Sequence, residues 1–282
     1  MELNLKGKKA LVTGSTAGIG QGIVKTLAAE GVTVVINGRS SEEKAKKLKS
    51  EIEKSGGKAI VAMGDVSSDN GVQEVVNKIK SEIGNIDILV NNAGIYPWGN
   101  WWNSTPEEWI KTYEVDVVSN VRFIQALVPM MVRKGWGRVI QISSASGHTT
   151  PANLAPVYAC TKASQTHMAR SLAVELRGTG ITVNAVCPAP VSTKTTLELF
   201  KESAKEKGYG ENDKGIQKFF VDTVMHNPPV ERMATVEEIA GTVAYLCSPI
   251  ADHISGSEFL TDCGYSITGF RPAPSEIPVP NK

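Results

Sequence analysis

Short apolar runs recur along this chain, each closed by small or turn-forming residues and each followed by a longer amphipathic stretch. Residues 9–12 form the first run, ending at Thr13-Gly14, and residues 19–29 then carry helical spacing. Residues 32–36 form the second, before Ser40-Ser41-Glu42-Glu43, a pattern that opens a capped helix closed by Gly56-Gly57. Runs at 59–63, 86–90, 138–142, 181–186 and 257–260 complete the series. Helical stretches lie between them at 68–83, from Thr105-Pro106-Glu107-Glu108 past Asp116 and Asn120 to about Met131, through Tyr158 and Lys162 to Arg177, and from Thr235 to Cys247. Short, nearly continuous apolar runs suit strands buried on both faces, and their alternation with helices predicts parallel pairing. The expected fold is α/β, a single-domain Rossmann-type doubly wound parallel sheet of about seven strands with helices on both faces. No repeat or linker divides residues 1–282. The polar, lysine-rich segment 193–227 follows a strand and is expected to form one or two helices of a substrate lid. Residues 265–282, with Pro272, Pro274, Pro278 and Pro280, are expected to form an extended tail.

Composition narrows the function classes. Lys and Arg total 30 against 29 Asp and Glu, and no block of like charge occurs, so nothing favours nucleic acid or an anionic membrane surface. No apolar run reads as long enough to span a bilayer and no signal peptide precedes the first strand, which leaves a cytoplasmic location as the expectation. Cys160, Cys187, Cys247 and Cys263 lack metal spacing, the four histidines are scattered, and no metal site is expected.

Three groups of residues carry chemistry. Gly14, Gly18 and Gly20 lie between a strand and a helix, where glycine permits a sharp turn and lets the helix N-terminus approach a pyrophosphate. The second strand ends at Asn37-Gly38-Arg39 without the carboxylate that would bind the ribose hydroxyls of NAD; the Arg39 guanidinium suits a 2′-phosphate and favours NADP(H) over NAD(H). Tyr158 and Lys162 are four apart, one helical turn on the same face, where an ammonium makes a phenol a better proton donor and acceptor. Ser143 and Ser144 end the fifth apolar run, where a hydroxyl could bond the same substrate oxygen. Tyr96, Trp98, Trp101 and Trp102 cluster in one loop, either packing onto the next helix or a second subunit, or walling a substrate pocket.

The succession Thr-Gly-x-x-x-Gly-Ile-Gly, Asn-Asn-Ala-Gly, Ser and Tyr-x-x-x-Lys resembles the short-chain dehydrogenase/reductase family over nearly the whole chain, and most of all its 3-oxoacyl-carrier-protein reductase-like branch. The resemblance implies that Gly14, Ser15, Gly18, Ile19, Gly20 and Arg39 hold the pyrophosphate and adenosine phosphate. By the same resemblance Asp65 and Val66 border adenine, Asn92, Ala93 and Gly94 line the cofactor ribose, and Thr193 binds the nicotinamide carboxamide. It further implies that Tyr158 is the general acid/base, that Lys162 contacts the nicotinamide ribose and lowers the phenol's pKa, and that Ser144 binds the substrate oxygen, with Ser143 or Ser146 as alternatives.

Three positions depart from the family pattern. Asp116 stands where the family has an asparagine that helps hold a relay water behind the lysine. Its carboxylate could pair with Lys162, and its backbone carbonyl is expected to stay free for that water. Pro188-Ala189 replaces Pro-Gly, and Asp262-Cys263-Gly264 replaces Asp-Gly-Gly. The resemblance thus implies an NADP(H)-dependent oxidoreductase acting on a small carbonyl or alcohol, or on a carrier-linked acyl chain. It also implies a homodimer or homotetramer joined through the helices of Asp116 and Tyr158. The alternative is a cofactor-binding sensor or scaffold subunit that has lost catalysis.

Overall fold

The computed structural model describes residues 2–97, 99–149, 156–225 and 228–268. Its seven strands, β1 (Lys9–Val12), β2 (Thr33–Ile36), β3 (Lys58–Val61), β4 (Ile88–Asn91), β5 (Gly137–Ile142), β6 (Ile181–Pro188) and β7 (Glu258–Thr261), form one parallel sheet. The spatial order is β3-β2-β1-β4-β5-β6-β7. Register is continuous, with Ala10 facing both Val34 and Ile88, and Gly137 to Ile142 facing Ile181 to Val186. Every residue of β5 and β6 is buried, including the polar Arg138, Gln141, Thr182 and Asn184 among their apolar positions. The order reverses between β1 and β4, so their carboxyl ends open a crevice at the switch point.

Helices α1 (Gly18–Ala29), α2 (Glu42–Lys54) and α9 (Val236–Cys247) cover one face through Ile23, Leu27, Leu48, Ile239 and Val243. Helices α3 (Asp69–Ile83), α5 (Ser119–Lys134) and α6 (Pro156–Glu175) cover the other through Val75, Ile79, Phe123, Leu127 and Ala169. Segment 193–227 holds α7 (Lys194–Glu206) and α8 (Asp213–Thr223), which bury Ile216, Phe219 and Phe220 in a separate apolar cluster with Met225 and Met233. Helix α10 (Tyr265–Thr268) follows β7. Trp98, His226, Asn227 and the tail from 269 onward lie outside the described residues.

The helix starts and the long 106–134 stretch agree with the sequence reading in part. The helix opened by Thr105 does have its capping box, with Thr105 Oγ1 accepting from Glu108 N and Glu108 returning to Thr105 N. Ser41, by contrast, makes no side-chain cap at α2. Helix α4 (Pro106–Tyr113) does not pass smoothly into α5, because Glu114–Val118 form a π turn in which Ser119 N–H reaches the Glu114 carbonyl. Residues Pro106–Lys134 together are long and apolar enough to cross a membrane by length and composition, contrary to the expectation from the apolar runs. That stretch carries buried Asp116 and Asn120, and Arg122 ion-paired to Asp69 and Glu114, so its polar groups are already committed within the fold.

Candidate active site

The glycine turn and the start of α1 form the floor of the crevice. Gly14 adopts φ +62, and a Cβ there would meet Ala93 Cα at 2.9 Å. A Cβ on Gly20 would sit 2.5 Å from Asn92 Nδ2 and 2.8 Å from the Gly14 carbonyl oxygen, so neither site has room for a side chain. Thr13 clasps the loop after β4, its Oγ1 accepting from Asn92 N at 3.0 Å and Ala93 N at 2.9 Å. Asn92 Nδ2 in turn donates to the carbonyls of Thr13 at 2.8 Å and Gly14 at 3.2 Å. Asn92, expected from the resemblance to line the cofactor ribose, thus also braces the glycine turn. Helix α1 begins at Gly18 without a side-chain cap, which leaves its first N–H groups for an anion. Ile19 is half-buried beside this turn, and Thr193 lies across from it, 3.7 Å from where a Gly18 Cβ would stand. Thr193 Oγ1 caps α7 by accepting from Thr196 N at 3.1 Å.

At the far end of the crevice Arg39 is exposed, while Ser15 is buried with its hydroxyl accepting from Asn37 N at 3.0 Å. Asn37 is a residue the sequence reading passed over. Its Oδ1 accepts from Gly14 N at 3.1 Å, and its Nδ2 donates to the carbonyls of Ala62 at 3.1 Å and Gly64 at 3.3 Å. One amide therefore joins the glycine turn to the end of β3. Burial opposes ionisation of Asp65, but hydrogen bonds from Ser67 and the charges of Arg39 and Lys111 outweigh it and hold the carboxyl below its ordinary range. Val66, beside it, is buried.

The candidate catalytic groups meet where β5 ends against α6. Ser143 Oγ donates to the Lys162 carbonyl at 2.7 Å and bonds Thr166 Oγ1 at 2.8 Å, so this hydroxyl is spent on the helix. Ser144 Oγ accepts from Ser146 N at 3.1 Å and lies 3.4 Å from the Pro188 carbonyl oxygen. The turn Ala145–Gly147 that follows packs so closely on α6 that a Cβ on Gly147 would stand 2.8 Å from Ala163 N and 2.9 Å from Lys162 C. Tyr158 is half-buried, and Tyr96 packs edge-on against it with ring centroids 4.6 Å apart. Burial, with Tyr158 and Tyr265 adding to it, pushes the Tyr96 phenol up to about 12. The aromatic loop divides between its two readings, since Tyr96 meets Tyr158 while Trp101 stacks on Trp109 of α4 at 5.3 Å. Trp102 is exposed.

Lys162 is only 4% exposed, and its Nζ lies 5.3 Å from the Tyr158 ring centroid. It donates to the Ile142 carbonyl at 3.2 Å and to Gln165 Oε1 at 2.8 Å. Asp116 Oδ2 lies 3.4 Å away, a charge pair that falls short of hydrogen-bond geometry, while Oδ1 accepts from Ile95 N at 2.9 Å. Burial raises the Asp116 carboxyl above its ordinary range, against the pull of the Lys162 ammonium and the Ile95 N–H. A Cβ on exposed Gly94 would stand 3.2 Å from Asp116 Oδ2 and 3.4 Å from Lys162 Nζ, so this glycine roofs the pair.

The Asp116 carbonyl, however, is not free. It accepts from Gln165 Nε2 at 2.7 Å and Asn120 Nδ2 at 2.9 Å, and Asn120 also donates to Gln141 Oε1 at 3.0 Å. The expected acceptor for a relay water is therefore occupied by two protein amides. Gln165 went unnoticed in the sequence, although it lies three residues beyond Lys162 on the same helix face, a spacing that could have revealed it. At the third departure, Cys263 takes φ +58, the left-handed conformation that glycine adopts without strain.

Residues 8–204 match the family model described as short chain dehydrogenase. The 3-oxoacyl-[acyl-carrier-protein] reductase FabG of Aquifex aeolicus is 34% identical over 258 residues, covering 91% of this chain and 96% of the relative. The solved L-sorbose reductase of Gluconobacter frateurii, complexed with NADPH and L-sorbose, superposes with TM-score 0.88 at 32% identity, over 95% of this chain and all of that one. A 7α-hydroxysteroid dehydrogenase complexed with NADH gives TM-score 0.81 at 28% identity, over 93% of this chain and 95% of that one. A doubly wound parallel sheet with a glycine turn at its switch point is the architecture of a dinucleotide-binding protein. The chain belongs to the short-chain dehydrogenase/reductase family.

Proposed function

We propose that this protein is an NADP(H)-dependent oxidoreductase that interconverts a carbonyl and an alcohol, with Tyr158 as general acid/base. The observation that carries the reading is the lock between Ser143 and the Lys162 carbonyl. It sets the Ser144 turn directly against the helix that bears both Tyr158 and Lys162. The residues present fit a dinucleotide: an uncapped helix N-terminus, a glycine turn pressed against Ala93 and Asn92, and an exposed arginine beyond β2. Gly14, Ser15, Gly18, Ile19 and Gly20 would form the pyrophosphate cradle, with Arg39 at a 2′-phosphate. Asp65 and Val66 would flank adenine, Asn92, Ala93 and Gly94 the ribose, and Thr193 the carboxamide. When bound, the nicotinamide supplies or takes the hydride.

In the reducing direction, Ser144 holds and polarises the substrate oxygen and Tyr158 gives it the phenolic proton. The Lys162 ammonium offsets the negative charge left on the phenol. In the oxidising direction the alcohol proton returns to Tyr158. Tyr96, packed on Tyr158, forms one wall of the substrate space. Helices α7 and α8 form its lid. The α4–α5 segment exposes Val121 and Val132, and α6 exposes Val174, which supports pairing of these helices in a homodimer or homotetramer. The protein is read as a one-domain cytoplasmic enzyme without a metal.

The test is turnover of L-sorbose, other ketoses, 3-oxoacyl thioesters and simple ketones with NADPH and NADH, comparing wild type with Tyr158→Phe. Expected are NADPH-dependent turnover of at least one carbonyl, its abolition in the variant and unchanged NADPH binding. Wild-type rates in Tyr158→Phe would overturn the assignment. The occupied Asp116 carbonyl favours a second reading, a cofactor-binding subunit without catalysis. Tight NADPH binding with no turnover of any carbonyl would support it.

A further inference from the structure

We infer that Gln165 is a positioning residue that clamps the Lys162 ammonium and seals the space behind it from water. Lys162 then exchanges protons through the crevice it faces rather than through a water chain at its back. The inference rests on the reading of Tyr158 and Lys162 as the proton-transferring pair. An ammonium has three N–H donors. Two are bonded to Ile142 O and Gln165 Oε1, and the third has the Asp116 carboxylate within charge-pairing distance. The other end of the Gln165 amide donates to the Asp116 carbonyl, whose second lone pair is taken by Asn120. A carbonyl oxygen has two lone pairs, so no acceptor is left there for water.

Burial supports the same conclusion. Gln165 and Asp116 have no exposed surface, Asn120 is 1% exposed, and Gln141 Oε1 accepts from the Asn120 amide, with the buried Gln141 Nε2 left without a partner among the described residues. The π turn at Glu114–Val118 brings the Asp116 backbone to this network, and such turns recur at functional sites. Substituting an aspartate where the family has an asparagine removes two amide donors from this position. At the backbone carbonyl, the amides of Gln165 and Asn120 stand where a relay water was expected. The side-chain carboxylate meanwhile supplies the ammonium with a counter-charge, which limits the cost of burying it. Gln165 thus fixes where Nζ lies relative to the Tyr158 ring, and it does so without touching substrate or cofactor.

Proton exchange of the ammonium with solvent measures this arrangement without any substrate. Protein labelled with 15N at lysine Nζ would be examined by NMR, the Lys162 signal being assigned by its loss in Lys162→Arg. In the wild type this ammonium should exchange at least about tenfold more slowly than surface lysines, because two of its donors are bonded within the protein and only the narrow crevice side is left for exchange. Gln165→Ala, which opens a space for water, should accelerate it by about tenfold or more. Gln165→Met, which keeps the volume but removes both hydrogen bonds, should shift the resonance and accelerate exchange less than alanine does. Where Gln165→Ala fails to fold, the methionine variant alone decides, since an unchanged signal there excludes the clamp. A wild-type Lys162 exchanging as fast as surface lysines, or a Gln165→Ala variant unchanged from wild type, would overturn the inference. Slow exchange in a protein that reduces no carbonyl would keep the clamp and sink the oxidoreductase reading. Turnover together with fast wild-type exchange would do the reverse.

Discussion

At the residue scale, Arg39 and Asp116 carry the two choices on which the proposed chemistry turns. Arg39 is exposed beyond β2 and its charge reaches Asp65. If it meets a 2′-phosphate, Arg39→Ala should weaken NADPH binding about tenfold, or ~1.4 kcal/mol, and leave NADH nearly unchanged. Fluorescence titration with the two cofactors reads this directly. Asp116→Asn keeps the side-chain oxygen that accepts from Ile95 N but leaves Lys162 without its counter-charge. Because two other acceptors remain at the ammonium, the loss should be on the order of 1–3 kcal/mol, below the full cost of breaking a buried pair. Urea unfolding checks that figure, and activity should survive. The tyrosine, lysine and glycines could be located in the sequence because the roles proposed for them depend on spacing along one element. Gln165, three residues beyond Lys162, was within reach of the same argument, but that it meets the Asp116 carbonyl beside Asn120 was not, because that contact comes from the fold bringing the π turn to α6.

At the element scale, capping decides where helices begin. Thr235 caps α9 by accepting from Glu238 N at 3.2 Å, and Glu238 returns a bond to Thr235 N at 2.8 Å. Thr235→Ala should therefore cost about 1 kcal/mol in denaturant unfolding. Arg232, with the Thr235 N–H, holds the Glu238 carboxyl down to about 2. A depressed carboxyl stabilises the fold fully above its unfolded value of 4.5, and the contribution is lost as pH falls toward 2. Glu238→Gln should remove that part of the acid dependence, as seen by comparing thermal midpoints of the two proteins across the window. Both capping boxes were legible because threonine and glutamate three apart interact locally. Ser41 carries a similar signal without making the bond, and the π turn left no trace, since residues 114–118 have ordinary helical sequence.

At the scale of the whole molecule, seven apolar runs were enough to find seven strands because the inner five are buried almost throughout, and the partly exposed edge strands β3 and β7 still carry short apolar runs. Their spatial order was not legible from the runs themselves, since hydrophobicity says which residues are buried and not which strands are neighbours. The stretch from Pro106 to Lys134 was legible as helix but not its full apolar character, and its apolar surface serves the sheet on one side and stands exposed at Val121 and Val132 on another. If that exposed side and Val174 pair about a twofold axis, sedimentation should give a dimer or tetramer, and Val174→Glu with Val121→Glu should shift it toward monomer. A wild-type monomer would refute the pairing.

If the protein prefers NADP(H) as proposed, the bracket made by Asn37 limits how that preference could change. An engineer seeking NAD dependence would first try a carboxylate at that strand end, yet Asn37→Asp forfeits both donors that reach the next strand and sets a charge beside buried carbonyls. Arg39 bears no such duty, so an evolutionary switch has an open route two residues downstream and a closed one at Asn37.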